Sequence, residues 1–452
     1  MKMKQKIKRS GCLSLALGLG LGSSVCAADE SAAIAELQRQ IQSLQKEVER
    51  LKASAAESTP SGRDGGEGGS GQENLLSKGW LKSKGLTFSF YGESKYRFPE
   101  SGANSFDAHR YVLSPSYAIN DWLVFNSEVE IEHGGVDEST GRGSRFNGEL
   151  ELEQFYVDIL IHERFNLRSL GIDLVPVGRF NKYHEPTLFY STERPELYRE
   201  IIPTTWMEPS LGAFGKITEG LSYQVQVSTG LEDSSSSAAG AGITSAGGFR
   251  SARPRLRLAD ENQLAYSGRL HYRGVPGLDT SASMYFAQPQ AAGGQHVNVA
   301  LWDIEGLYRV PRTGLELRAD FAYWHIDDPE KLLANQNASG MDDVGTRMYG
   351  WYVEAAYHLW PEAWRQGRGE HMDLVPFIRY SQVVTQSGLV GAGRESDDGT
   401  ANKDFLTAGV SYFLNEHFVV KADWRRNFNG STVSAGSAAS QDYFQIGVGM
   451  FF

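Results

Sequence analysis

From residue 86 to the C-terminus, aromatic and β-branched residues alternate with polar ones in stretches of about ten to fourteen residues. WLVFNSEVEIE (122–132), GLELRADFAYW (314–324) and HFVVKADWRRNF (417–428) show the pattern most cleanly. Side chains along a strand point to opposite faces in turn, so each stretch predicts a strand with one apolar and one polar face. The pattern predicts strands at 86–98, 106–118, 122–133, 148–161, 171–180, 208–217, 221–230, 263–273, 278–287, 297–309, 314–325, 347–359, 371–383, 403–414, 417–428 and 442–452. In the last of these, YFQIGVGMFF, the side chains of Phe444, Ile446, Val448, Met450 and Phe452 share one face. Tyr443, Gln445, Gly447, Gly449 and Phe451 share the other. Free termini are usually wet, so an apolar end of this kind suits a strand with lipid on one side.

The connections alternate short and long. AIND (118–121), TEG (218–220), GVPG (274–277), PRTG (311–314) and NE (415–416) are tight turns. Between them lie the long segments 134–147, 181–207, 231–262, 326–346, 384–402 and 429–441. Two connections on the short side, 162–170 and 360–370, are longer than the rest. Mean hydropathy is only −0.37, and after the N-terminal segment no apolar run approaches the roughly 20 residues of a transmembrane helix. Alternation hides a lipid-facing surface from such averages. Together these features predict an all-β transmembrane up-and-down antiparallel β-barrel of about sixteen strands over 86–452. Trp122, Trp206, Trp302, Trp324, Trp351, Trp360, Trp364 and Trp424 fall mostly near strand ends, where interfacial aromatic girdles would place them.

The N-terminus reads differently. Lys2, Lys4, Lys6, Lys8 and Arg9 precede the apolar run LSLALGLGLG, and cleavage could follow Ala27 or Ala28. Residues 1–28 therefore read as a secretory signal peptide. Cys26 raises a lipoprotein, but Ser23-Ser24-Val25 fits a lipidation site poorly. Within 29–53, Ile34, Leu37, Ile41, Leu44, Val48 and Leu51 repeat at spacings of three and four, with Glu47 and Lys52 placed as an interhelical pair. This is a short α-helical coiled coil suited to self-association, placed in the periplasm. Residues 54–85 form a linker whose first part is rich in Gly, Ser and acidic residues.

Composition narrows the functions. Both cysteines, Cys12 and Cys26, lie in or at the edge of the signal peptide, so the mature chain carries no disulfide, thiol nucleophile or c-type haem attachment. The net charge of −11 becomes −16 once five signal-peptide cations are removed, which does not suit a nucleic-acid partner. The partners expected are the outer-membrane lipid bilayer, the barrel-assembly machinery, small solutes and further copies of the chain as a homotrimer.

VGRFNKYHEPTLFYSTERPELYREIIPTTWMEPSLGAFGKI (177–217), YGWYVEAAYHLWP (349–361) and DFLTAGVSYFLNEHFVVKADW (404–424) resemble segments of the phosphate-selective porin O/P family. The spacing of Gln445, Gly447, Met450 and Phe452 is similar to the C-terminal assembly signal of bacterial outer-membrane barrels. The porin resemblance implies a 16-stranded trimeric porin passing small solutes, with an anion or phosphate preference in some members. It also implies an inward loop at 181–207. That loop is poor in Gly and Ser and carries Pro186, Pro195 and Pro203. Its Leu188, Phe189, Tyr190, Leu197, Tyr198, Ile201, Ile202 and Trp206 need a dry surface.

Pore-constriction candidates are Arg179, Lys182, Arg194 and Arg199, expected to meet acidic rows across the lumen. Those rows are Glu128, Glu130 and Glu132 with Glu149, Glu151 and Glu153, and Arg318, Asp320 and Arg379 are further lumenal charges. Arg253, Arg255 and Arg257 form a basic row in a predicted loop. A mixed-charge lumen, an anion or phosphate channel and a cation-leaning channel all stay open.

Other chemistry is thinly marked. His184, Glu185 and Asp173 suggest a metal or hydrolase site, yet His184 has no second His at i+3 or i+4 and no H-E-x-x-H occurs. No Ser–His arrangement or P-loop is visible. DDPE (327–330) and MDDVG (341–345) could hold Ca²⁺, though solvated acidic loops are commoner. The chain is expected to be no enzyme and to carry no cofactor or metal. A loop-based adhesin or enzyme barrel, and a scaffold barrel around an electron-carrying partner, are the alternatives.

Overall fold

The computed structural model describes residues 85–136, 148–233, 242–254, 256, 263–291, 294–337, 343–390, 401–428 and 442–452. The signal peptide, the coiled coil, all but the last linker residue, Arg255 and Arg257 lie outside the described residues. The chain forms a closed antiparallel barrel of sixteen strands. In order these are β1 (Leu86–Pro99), β2 (Ser105–Asn120), β3 (Leu123–Glu132), β4 (Leu150–His162), β5 (Phe165–Leu174), β6 (Met207–Thr218), β7 (Leu221–Thr229) and β8 (Leu264–Tyr272). The second half is β9 (Leu278–Ala287), β10 (Val299–Arg309), β11 (Leu315–Ile326), β12 (Arg347–Tyr357), β13 (Asp373–Ser387), β14 (Asn402–Asn415), β15 (Phe418–Asn427) and β16 (Tyr443–Phe451). Each strand pairs with its neighbours in sequence, and β16 closes the ring on β1 from Tyr91↔Phe451 to Pro99↔Tyr443.

Alternation decides the two surfaces. On β16, Phe444 and Ile446 are exposed outward while Tyr443 and Gln445 are buried inside. The terminal Phe452 ring stacks on Phe90 at 4.8 Å and on His417 at 5.5 Å. Its backbone exchanges two hydrogen bonds with Phe90, 2.9 and 2.8 Å. The aromatic end therefore seals the seam of the barrel. Trp122, Trp302, Trp364 and Trp424 are exposed, as a lipid-interface position requires. Trp206 and Trp324 depart from the expected girdle. Both are fully buried inside, and Trp324 stacks on Phe249 at 3.6 Å.

The connection expected at 162–170 is a turn of Glu163 and Arg164, and β5 begins at Phe165 rather than 171. The cause is an irregular ladder. Register shifts interrupt both the β4–β5 and the β5–β6 pairings, the latter between Arg168 and Gly171. Arg168 and Asp173 consequently both turn inward, five residues apart, where strict alternation would oppose them. β5 ends at Leu174, so residues 175–180 belong to the long connection instead of a strand.

That connection, 175–206, is where the core lies. A closed sheet of about sixteen strands leaves a wide hollow. One side of this hollow is packed solid by Val175, Val177, Phe180, Phe189, Leu197, Tyr198, Ile201, Ile202 and Trp206 of the loop. They pack on Tyr285 of β9, Leu301 of β10, Trp324 of β11, Tyr352 of β12 and Val383 of β13. Leu231 and Phe249 from the β7–β8 connection, with Leu332 and Val344 from the β11–β12 connection, join the same cluster. The wall gives way to admit the loop. A Cβ on Gly350 of β12 would lie 3.0 Å from both Ile201 and Leu197, and one on Gly449 of β16 would lie 2.7 Å from Pro186.

Candidate functional site: the loop inside the barrel

Apolar anchoring holds the loop's flanks, and its shape is set by single helical turns at α1 (Arg179–Lys182) and α2 (Leu197–Glu200). Three prolines limit its freedom elsewhere. Its anchors are buried as the sequence requires, apart from the half-buried Leu188, with Tyr190 in a second cluster on Ala356, Val375, Phe377, Phe413 and Val419.

The tip is held by charge, with a sign opposite to the expected one. Glu193 accepts hydrogen bonds from Lys95 at 2.7 Å and Arg97 at 2.8 Å, both on β1. Glu196 lies 3.3 Å from Arg425 of β15 and 3.9 Å from Arg379 of β13. Glu200 takes Lys403 of β14 on both carboxylate oxygens, each at 2.8 Å. Backbone groups add to the clamp. Arg379 donates to Ser191 Oγ at 2.7 Å, Lys421 to the Ser191 carbonyl at 2.9 Å, and Arg318 to the Leu188 carbonyl at 2.9 Å. The Thr192 amide donates to Asp423 at 2.6 Å, and its hydroxyl hydrogen-bonds the Gln445 side chain. Loop aromatics cap two of these cations, Lys421 over Phe189 at 3.7 Å and Arg318 over Tyr190 at 4.2 Å.

The loop's own cations are not aimed across water at the acidic rows. Arg179 pairs with Asp279 of β9 at 2.7 Å. Lys182 donates to Gln224 of β7. Arg194 turns back on the loop, 3.5 Å from the Phe180 carbonyl and 3.3 Å from Thr205. Arg199 is exposed. Arg253 lies outside any strand and donates to the carbonyls of Thr204 and Thr205 at 2.8 and 3.1 Å.

The wall candidates are mostly buried, and the basic ones are paired with carboxylates. Arg318 pairs with Glu316 at 2.6 Å, Arg379 with Glu354 at 3.2 Å, and Asp320 accepts from Tyr198 of the loop. Glu130 sits 3.9 Å from Arg110, and Glu128 accepts from Tyr91 at 2.8 Å. Glu132 and Glu151 are half-buried and Glu149 is exposed. Asp173 pairs with Arg168 at 2.8 Å. Sequence reasoning missed the clamp by Glu193, Glu196 and Glu200. The available signal was the run of inward cations Lys403, Lys421 and Arg425 on the last strands.

Below the loop, at the end of the short turns, lies a cavity of about 780 Å³ lined by β1–β8 and by Lys182, Tyr183, His184 and Glu185. Six carboxylates and five Lys or Arg side chains face it. DDPE makes local contacts, Asp328 with Lys331 at 2.6 Å and Asp327 with His325 at 2.8 Å.

No family model matches the chain. An uncharacterised protein of Aquifex aeolicus (strain VF5) is 29% identical over 364 residues, covering 77% of each chain. Among solved structures, Salmonella typhi OmpF in complex with daunomycin is similar with a TM-score of 0.52 and 12% identity, over 82% of this chain and 99% of that one. The outer-membrane channel DcaP of Acinetobacter baumannii is similar with a TM-score of 0.50 and 12% identity, over 83% and 99%. At such identity the likeness establishes a shared barrel fold and nothing finer.

Removing the clamp should free the tip. Glu193→Gln with Glu196→Gln strands buried cations, and hydrogen exchange over 186–202 should accelerate by at least about tenfold, equivalent to ~1.4 kcal/mol. Unchanged exchange would show that the apolar anchors suffice.

Proposed function

We propose that the chain is a bacterial outer-membrane porin, a water-filled channel for passive diffusion of small hydrophilic solutes or ions. The observation that carries this reading is a closed barrel, apolar outside, whose charged interior is crossed by an inward loop. Its solute path runs along the β1–β8 side, where the cavity lies, because the β9–β13 side is filled by the apolar cluster. Lys182, at the cavity, and the exposed Arg199 are the loop cations placed to meet a solute. Pairing of Arg179, Arg318 and Arg379 with carboxylates removes the unpaired basic ring that an anion filter requires. The channel is therefore of mixed charge with weak selectivity, in place of a dedicated phosphate pore.

In a planar bilayer, deletion of 186–202 should raise single-channel conductance, and the reversal potential of the parent across a salt gradient should stay small. A large potential of anionic sign would overturn the mixed-charge reading. A purified barrel that conducts no ions would point instead to an adhesin, an enzyme or a scaffold for a partner.

Residues 29–53 serve as a periplasmic coil in a homotrimer, a reading supported by the heptad seam. Native mass spectrometry in mild detergent should give a trimer, and a chain lacking 29–74 should still fold its barrel. Monomer alone from the full chain would reject the assembly.

Gln445, Gly447, Met450 and Phe452 act as the signal read by the barrel-assembly machinery. Phe452→Ala should lower outer-membrane levels while leaving export intact, and unchanged levels would reduce this end to a strand.

A further inference from the structure

Where the loop passes β3 and β4, three potential ligands converge from separate elements. His184 Nε2 lies 3.8 Å from Glu128 Oε1 and 3.7 Å from Glu153 Oε2, and the three ligand atoms lie within 4.8 Å of one another. His184 is 3% exposed, Glu128 8% and Glu153 0%. Neither oxygen of Glu153 has a hydrogen-bond partner, nor has His184 Nε2. The tautomer is set from behind. His184 Nδ1 sits 3.0 Å from the Asn181 carbonyl, which can only accept, so Nδ1 carries the proton and the Nε2 lone pair faces the two carboxylates.

Three acceptors facing each other in a buried pocket repel unless a proton or a metal cation lies between them. The nearby guanidiniums do not fill that role, since Arg194 turns to the Phe180 carbonyl and Thr205. Arg110 spends its Nε on Glu93 at 2.8 Å and one terminal nitrogen on the His184 carbonyl. Its other nitrogen is 3.9 Å from Glu130. Two guanidiniums, Arg110 and Arg194, thus stand near Glu93, Glu128, Glu130 and Glu153, and neither pairs with Glu153.

We propose that Glu128, Glu153 and His184 form a divalent transition-metal site, of the zinc or manganese class, that staples the inward loop to the β3–β4 wall. One imidazole nitrogen with two carboxylates suits such ions better than Ca²⁺ or Mg²⁺, which favour oxygen alone. The spacing fits as well. Ligands bonded tetrahedrally at about 2.1 Å stand about 3.4 Å apart, a few tenths of an ångström inside the 3.7 and 3.8 Å seen here. The supporting shell is in place: Tyr91 and Gln154 donate to Glu128, and Asn181 is itself held by the Val175 carbonyl and the Trp206 amide at 2.9 and 2.6 Å. Glu128 and His184 border the cavity, which gives the ion a route in and water to complete its coordination. The sequence shows no metal motif because the ligands come from β3, β4 and the loop.

The site does not depend on the chain being a channel, so its test is binding. The purified full-length barrel, stripped with EDTA, is titrated with Zn²⁺, Mn²⁺ and Mg²⁺ by calorimetry. One Zn²⁺ or Mn²⁺ per chain should bind in the micromolar range or tighter, and Mg²⁺ at least about a hundredfold more weakly. His184→Gln and Glu153→Gln should each weaken Zn²⁺ binding at least about tenfold. Added Zn²⁺ should slow hydrogen exchange over 178–190 in the parent and leave it unchanged in both variants. Glu153→Gln guards against misfolding, since a neutral amide relieves the repulsion while removing a ligand. The absence of saturable Zn²⁺ or Mn²⁺ binding to the parent overturns the proposal. So does binding that neither variant weakens, which would place the ion at another cluster such as Asp107, His109 and His133.

Discussion

A charge taken out of water must be compensated, and in this barrel the groups that compensate the wall cations come in large part from a distant loop. Arg379 and Lys421 on the inner wall are buried almost completely. Without the loop they would face an open lumen and stay hydrated. With it they are enclosed by Ser191, Phe189 and the carboxylate of Glu196. The apolar anchors and the ionic tip are thus mutually dependent. Ile201 and Trp206 dry out one side of the hollow, and drying makes every unpaired charge nearby expensive. The position of the loop then decides which part of the interior stays wet.

The barrel itself was legible because lipid outside and water inside impose opposite demands on successive residues, and the last strand shows that contrast in ten residues. Alternation failed at β5, where a shifted register carries Arg168 and Asp173 to the same side. A bulge is a local backbone choice that leaves no mark on the polarity pattern. The inward course of 181–206 was legible too, since Phe189, Tyr190, Ile201 and Ile202 cannot remain on a wet external tip.

The pairing inside was not legible. An inward loop suggested that its cations Lys182, Arg194 and Arg199 meet the acidic rows of β3 and β4 across the lumen. The wall cations that actually receive the loop sit on β1, β11, β13, β14 and β15, and β1 joins the others only because the ring closes. His184 illustrates the same limit. Its neighbours Glu128 and Glu153 belong to strands finished before the loop begins, so no motif spacing can report them. Charge rows identify which faces are inside; they do not identify which faces touch.

Closure of the ring also has a consequence for the order of events in folding. The loop bonds to Asp423 and Gln445, more than two hundred residues downstream, and Pro186 rests on Gly449 of the final strand. Contacts so distant along the chain are slow to form, and these surfaces do not exist until β15 and β16 have zipped onto β14 and β1. Seating of the loop is therefore a late step that reads out the register of the last hairpin. A slip of one residue would turn Val448 or Met450 inward beneath Pro186 and deny the loop its seat. The plug doubles as an inspection of the finished wall.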